Sequence, residues 1–196
     1  YRARMRKLFS IKNDDKIMIY VGRICKDKGI NELVDAFNHL NAKKINSSYY
    51  LILLGLIEEK HDKISNKTQI SINNNKNIIH INHRKNVYPY LHMSDLLIIP
   101  SYGEGFGNVV IEAGAVGLPV LGTKVIGLNE SIIDNYNGIK VNSHSSESII
   151  KGIELMFSDK ELYNKLKING IKNVKKNFRG TEITNLSVAK MLEIIN

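Results

Sequence analysis

The feature that most constrains the fold is a set of short apolar runs with no polar alternation, each closed by Gly or Pro. Lys16-Ile-Met-Ile-Tyr-Val-Gly22, Tyr49-Tyr-Leu-Ile-Leu-Leu-Gly55 and Asp95-Leu-Leu-Ile-Ile-Pro100 are three of them. A strand with one face in water alternates apolar and polar residues. These runs offer apolar side chains to both faces, so each strand must be covered on both sides. Between them the period changes: Ile30, Leu33, Val34, Phe37 and Leu40 recur at helical spacing and predict an amphipathic helix over 29–42. The same reading predicts a polar helix near 57–70, a strand at 77–81, a short helix from Tyr88 to His92 and a helix from Asn108 to Val116. Short strands follow at Leu118 to Leu121 and Gly138 to Val141. From about 145 the chain reads as helical, with breaks near Ser158-Asp159 and Arg179-Gly180. Helices alternating with strands buried on both faces demand an α/β fold, a doubly wound and mostly parallel Rossmann-like sheet. The 196 residues suffice for one well-buried domain and are short for two, and no repeat or linker divides them, so 1–196 reads as a single domain.

Composition excludes several function classes. No stretch approaches the roughly 18 uninterrupted apolar residues of a membrane span. The N-terminal Tyr1-Arg-Ala-Arg-Met-Arg-Lys7 is basic but lacks the apolar region of a signal peptide, and the missing initiator Met points to a fragment. The single cysteine, Cys25, rules out an internal disulfide framework and suits a reducing cytoplasm. Lys and Arg number 28 against 19 Asp and Glu, a formal charge of +9. Such a surface fits nucleic acid, anionic lipid headgroups or a phosphorylated substrate. A residue bias toward Lys, Asn and Ile, as in Asn73 to Asn77, accounts for the excess equally well. Only Lys172 to Arg179 forms a local basic cluster, which a helix face with interleaved charges also explains.

In a doubly wound sheet, ligands bind outside the carboxyl ends of the strands, and three loops there carry unusual residues. Pro100-Ser-Tyr-Gly-Glu-Gly-Phe-Gly-Asn108 leads from a strand into a helix. Gly103, Gly105 and Gly107 are expected to take positive φ and to let a ligand approach, with the helix N-terminus as a diphosphate seat. The same turn also fits a tight connection with no ligand. Glu104 and Glu112, eight positions apart, are out of place beside a phosphate unless they accept hydrogen bonds from hydroxyls, as sugar and ribose supply. The plainer readings are a solvated loop acid for Glu104 and a helix N-terminal acid for Glu112. The second loop, Val21-Gly22-Arg23-Ile-Cys-Lys-Asp-Lys28-Gly29, offers Arg23 and Lys28 to neutralise a diphosphate leaving group. The third, Ile81-Asn82-His83-Arg84-Lys-Asn86, offers a base pocket, or simply a surface loop. His39, His80, His92 and His144 lack metal-ligand spacing, so no metal site is expected. No Asp-x-Asp motif occurs, which argues against a diphosphate held through a divalent cation. Cys25 has no evident base partner and reads as structural.

These segments carry a family likeness. Val21 to Gly29 resembles the VGR…(E/D)KG segment of the retaining glycosyltransferases of family 4. Ser94-Asp-Leu-Leu-Ile-Ile-Pro-Ser101, Glu104-Gly-Phe-Gly-Asn-Val-Val-Ile-Glu112-Ala, Gly117-Leu-Pro-Val120, Gly127 and Asn137-Gly138 resemble its later motifs, over about 16 to 178. The resemblance implies the C-terminal, donor-binding half of a GT-B enzyme that moves a hexose-type sugar from a nucleotide diphosphate sugar, UDP first, to a glycan or lipid-linked acceptor. Arg23 and Lys28 would bind the diphosphate, with Gly22 beside them. Glu104 would contact the transferred sugar, the Gly105-Phe106-Gly107-Asn108 backbone would hold phosphate, and Glu112 would accept the ribose hydroxyls. It implies retention of anomeric configuration, no metal and no cofactor. It places the enzyme in the cytoplasm, at the inner face of the membrane, in bacterial surface-polysaccharide synthesis. An N-terminal acceptor domain of the full-length protein is the implied partner, without which this half would transfer little. The family carries Gly where this chain has Asn82, and Asn is expected to tolerate the left-handed conformation Gly would take. The alternative is a non-catalytic nucleotide- or nucleic-acid-binding module. A dinucleotide-dependent oxidoreductase is disfavoured because the glycine spacing and its place in the chain are wrong for that fingerprint.

Overall fold

The computed structural model describes residues 1–43 and 48–178. Six strands, β1 (Lys16–Val21), β2 (Tyr49–Leu54), β3 (Ile78–Ile81), β4 (Leu96–Ile99), β5 (Val120–Thr123) and β6 (Gly138–Val141), form one sheet in the order β3-β2-β1-β4-β5-β6. Every pairing is parallel. The helices are α1 (Arg2–Leu8), α2 (Ile30–Ala42), α3 (Asn66–Asn74), α4 (Tyr88–Met93), α5 (Asn108–Ala115), α6 (Ser146–Ser158) and α7 (Lys160–Asn177). This is the doubly wound architecture expected from the apolar runs.

Alternate residues of β1 explain why its sequence is apolar throughout. Met18 and Tyr20 join a core with Leu33 and Phe37 of α2 and Ile149 and Ile153 of α6. Ile17 and Ile19 join the opposite core with Leu91 of α4, Val110 of α5 and Ile11. The break between α6 and α7 falls where it was expected: Asp159 ends one helix and caps the next, accepting from the Leu162 N–H at 2.9 Å. The break expected at Arg179-Gly180 lies outside the described residues.

Three boundaries differ from expectation. The helix anticipated near 57–70 begins at Asn66, because the preceding segment pairs with the loop after β1. Ile24 N–H donates to Leu56 O at 2.8 Å, Glu58 N–H to Ile24 O at 3.0 Å, and Ser65 then caps α3. The strand anticipated at 118–121 is β5, two residues later. The Leu118 N–H is used on Ala113 O at the end of α5, Pro119 has no N–H, and Gly122 and Thr123 pair with β6. Finally α1, unrecognised as a helix in the sequence, docks on α4 through a buried arginine. Arg6 is 1% exposed and donates to Met93, Lys12, Asn13 and Asp15 carbonyls at 3.0–3.1 Å and to Asp95 Oδ2 at 2.7 Å. Among the described residues no helix is long and apolar enough to cross a membrane.

Candidate functional site

The strand order reverses between β1 and β4, which sends β2 and β3 to one side and β5 and β6 to the other. The loops that follow β1 and β4 therefore flank a crevice at the carboxyl edge, the position where open α/β sheets bind ligands. Two helices begin there. Gly29 precedes α2 at φ 67° and Gly107 precedes α5 at φ 68°. A Cβ on Gly29 would stand 2.1 Å from Pro100 O, so only glycine lets the start of α2 lie against the end of β4. Two N-termini, with their unpaired N–H groups and positive dipole ends, are thus drawn to one crevice.

Between them stands an ion pair. Lys28 Nζ lies 2.9 Å from Glu104 Oε2, with both side chains largely shielded, and 3.3 Å from Gly103 O. Ser101 Oγ donates to the same Glu104 oxygen at 3.0 Å, and the Thr123 hydroxyl fixes the Ser101 carbonyl at 2.5 Å. Glu104 Oε2 is therefore held by two donors, and Oε1 has no partner among the described residues. Tyr102 ties the two loops together: its N–H donates to Asp27 O at 2.8 Å and its hydroxyl to Glu32 Oε1 at 2.6 Å. Behind the loop, Gly127 touches its backbone so closely that a Cβ would stand 1.7 Å from Glu104 O and 2.0 Å from Gly105 O. Gly127→Ala is expected to cost about 1–3 kcal/mol of unfolding free energy through overpacking. Gly105→Ala, with nothing within 4 Å of the added carbon, should change it by about 0.5 kcal/mol or less. Urea denaturation of the two variants checks both, and equal losses would refute the distinction.

Glu112 lies one turn into α5 on the face that also carries Asn108. Its side chain is half-buried and has no hydrogen-bond or ion-pair partner among the described residues, and burial raises its pKa above the ordinary carboxylate value. Phe106 and Gly105 are open to solvent at the front of the loop.

Not every residue expected at the site converges on it. Of the three loop glycines only Gly107 takes positive φ; Gly103 and Gly105 instead leave open space beside the backbone. Arg23 stands at the end of β1 beside Gly22, but its side chain is 60% exposed and lies 3.8 Å from Asp27 and from Glu58 rather than pairing with Glu104. Asn82, His83 and Arg84 follow β3, with β2 between them and β1, and are exposed. Among the described residues the Arg84 side chain bonds only its neighbour's carbonyl, at 3.4 Å. Asn82 does not take the left-handed conformation expected of a glycine substitute; among non-glycine described residues that falls to Ser10, Asn135 and His144. Cys25 does have a partner, Asp27 Oδ1 at 2.8 Å. Burial and that carboxylate push the thiol up to about 12, which keeps it protonated and unreactive. With Asp62, which accepts the Asp27 N–H at 2.7 Å, these groups form a trio of ligand-type side chains whose contacts tie two loops together.

Sequence reading missed Ser101 and Tyr102 as site residues. A hydroxyl placed directly after the strand-ending Pro100, and therefore fully buried at the mouth of the crevice, was the available signal.

Comparison with known proteins gives this geometry a context. The family model for glycosyl transferases group 1 matches residues 2–173. The chain is 31% identical over 172 residues to the capsular polysaccharide biosynthesis glycosyltransferase CapM of Staphylococcus aureus, covering 88% of this chain and 44% of that protein. It is 30% identical over 166 residues to the lipopolysaccharide 1,2-N-acetylglucosaminetransferase of Salmonella typhimurium, covering 80% and 43%. The chain thus spans less than half the length of these relatives. Among solved structures it resembles the C-terminal domain of the glycosyl transferase group 1 protein LpcC from Francisella tularensis (TM-score 0.78, 24% identity, 92% of this chain and 94% of that one). It also resembles Anabaena HepE in complex with UDP-glucose (TM-score 0.81, 20% identity, 98% and 52%).

Proposed function

The chain belongs to the glycosyl transferases group 1 family, and from that premise we propose that it is the nucleotide-sugar-binding half of a retaining, family 4 glycosyltransferase. The observation that carries this reading is the convergence of two helix N-termini on a shielded Lys28–Glu104 pair at the point where the strand order reverses. A diphosphate satisfies the N–H groups and dipoles of α2 and α5, and Lys28, with a third N–H to give, neutralises it as it leaves. Glu104 turns its uncommitted oxygen to a sugar hydroxyl, and Glu112 accepts the ribose hydroxyls. Arg23 joins the diphosphate by exchanging its two long contacts with Asp27 and Glu58 for charge-assisted bonds to phosphate. The departing phosphate takes the acceptor's proton as the new bond forms on the face the leaving group vacates. On this reading no metal takes part.

CapM and the Salmonella enzyme, by their names, build capsule and lipopolysaccharide, which supports a surface-glycan acceptor and a hexose-type donor. An N-terminal domain supplying that acceptor completes the enzyme, at the cytoplasmic face of the membrane. Anabaena HepE with UDP-glucose supports UDP as the first nucleotide to try.

Calorimetric titration with UDP and GDP tests the reading, and absence of binding by both at millimolar concentration would overturn it. Glu112→Ala is expected to weaken nucleotide binding by about 1.5–3 kcal/mol, the worth of hydrogen bonds to a charged group. Affinity should also fall as pH drops into the range just above the ordinary carboxylate pKa. Burial raises the Glu112 pKa, and the protonated acid no longer accepts two hydroxyl bonds. A flat pH profile in that range would remove Glu112 from the site.

A further inference from the structure

Helix α7 carries six lysines, at 160, 165, 167, 172, 175 and 176, against one acid, Glu161 in its first turn. Its buried residues, Leu166, Gly170, Asn173 and Val174, fix which side faces the protein. The contact with α5 is close, since a Cβ on Gly114 would stand 2.9 Å from Val174 Cγ2 and 3.2 Å from Gly170 O. At 3.6 residues per turn, Lys165, Lys172 and Lys176 fall within about 40° of one another on the side away from that contact. Ile168 and Lys175 flank them, still farther from the buried side. The four lysines are exposed and make no ion pair among the described residues, and Ile168 is 53% exposed in their midst.

The helix dipole accounts for Lys175 and Lys176 in the last turn but not for Lys165, some three turns earlier. A stripe of unpaired lysines interrupted by an exposed isoleucine has the composition of a helix lying on an anionic lipid surface. There the ammonium groups meet headgroup phosphates and the aliphatic side chain enters the headgroup boundary. Nucleic acid fits less well, because the stripe offers neither an aromatic ring nor a guanidinium for stacking or base contacts. The orientation adds a second argument. Phe178, just past the end of α7, packs edge to face on Phe106 of the candidate donor loop, with ring centroids 5.7 Å apart. The lysine-rich end of the helix is therefore the end beside the crevice.

We propose that the outer face of α7 docks on anionic phospholipid and so holds the donor-loop edge of the sheet at the bilayer surface. The test is sedimentation of the full-length protein with vesicles of phosphatidylglycerol and phosphatidylcholine, and with phosphatidylcholine alone. Binding is expected only to the anionic vesicles and should weaken as salt rises. Lys165→Gln, Lys172→Gln and Lys176→Gln should each lower partitioning about fivefold, and the triple variant roughly a hundredfold. The control variant Lys63→Gln/Lys76→Gln/Lys151→Gln loses the same charge elsewhere on the surface and should bind as the parent does. Three results would each overturn the proposal: parental binding by the α7 triple variant, equal losses in the two variants, or a mixed-sequence RNA or DNA that binds through the same lysines and displaces the vesicles.

Discussion

Arg6→Ala is expected to remove about 3–5 kcal/mol of stability, a large share of what a single domain has. The magnitude follows from what the side chain leaves behind. Its guanidinium serves four carbonyl oxygens from two chain segments, Lys12, Asn13 and Asp15 before β1 and Met93 at the end of α4, and it also pairs with Asp95. Asp95 is 8% exposed and receives, besides Arg6, the Arg2 guanidinium and the Ile17 N–H at 2.7 Å. Removing Arg6 takes the donor from the buried Met93 and Asp15 carbonyl bonds and leaves Arg2 as the carboxylate's remaining cation, which itself is only partly buried. Lys at this position should recover little, since an ammonium has three donors without the planar fork that spans these acceptors. Urea unfolding measures both variants. A loss below about 1 kcal/mol for Arg6→Ala would mean that the network contributes little net stability, the surface-pair limit rather than the buried one.

That same arginine marks where sequence reading ran out. The sheet was legible because an apolar run buried on both faces has few other destinations, and Met18 and Ile19 do point to opposite cores. The crevice was legible at one remove: once the strands are parallel and doubly wound, the loops after β1 and β4 must meet at the carboxyl edge. Helix α1 was not legible, because the residue that anchors it is charged and its partner, Asp95, lies 89 positions away. The start of α3 was missed for a related reason, since the residues before it are drawn into backbone pairing with the distant Ile24. Within the site, the sequence offered Arg23 and Lys28 as equivalent cations. Their difference comes from Gly29, whose close approach to Pro100 brings Lys28 onto the Glu104 loop while Arg23 remains with Asp27 and Glu58. Neither effect is written in local spacing.

Glu104→Gln should leave nucleotide affinity within a few fold of the parent and lower sugar transfer by the full-length enzyme about 10²–10³-fold, the range for losing one preorganised electrostatic contact in a transition state. The substitution keeps the shape of the side chain and removes its charge. In the parent, Lys28 and Ser101 hold Oε2 at 2.9 and 3.0 Å, and Thr123 fixes Ser101 in turn. The carboxylate is therefore already oriented before a sugar arrives, and the free oxygen contributes without further ordering cost. Glutamine cannot hold these donors and also accept from the sugar: an amide nitrogen at the Oε2 position would face the Lys28 N–H and Ser101 O–H donors, and turning the amide over gives its oxygen to Lys28 and Ser101 and leaves nitrogen toward the sugar. Lys28→Ala should act differently. It removes charge from the diphosphate in the ground state as well as in the transition state, so nucleotide affinity and transfer should fall together. The two variants thus separate a contact made to the reacting sugar from one made to the leaving group. Parental turnover in Glu104→Gln would remove Glu104 from the reaction, and a loss of nucleotide affinity equal to that of Lys28→Ala would reduce it to a structural partner of Lys28.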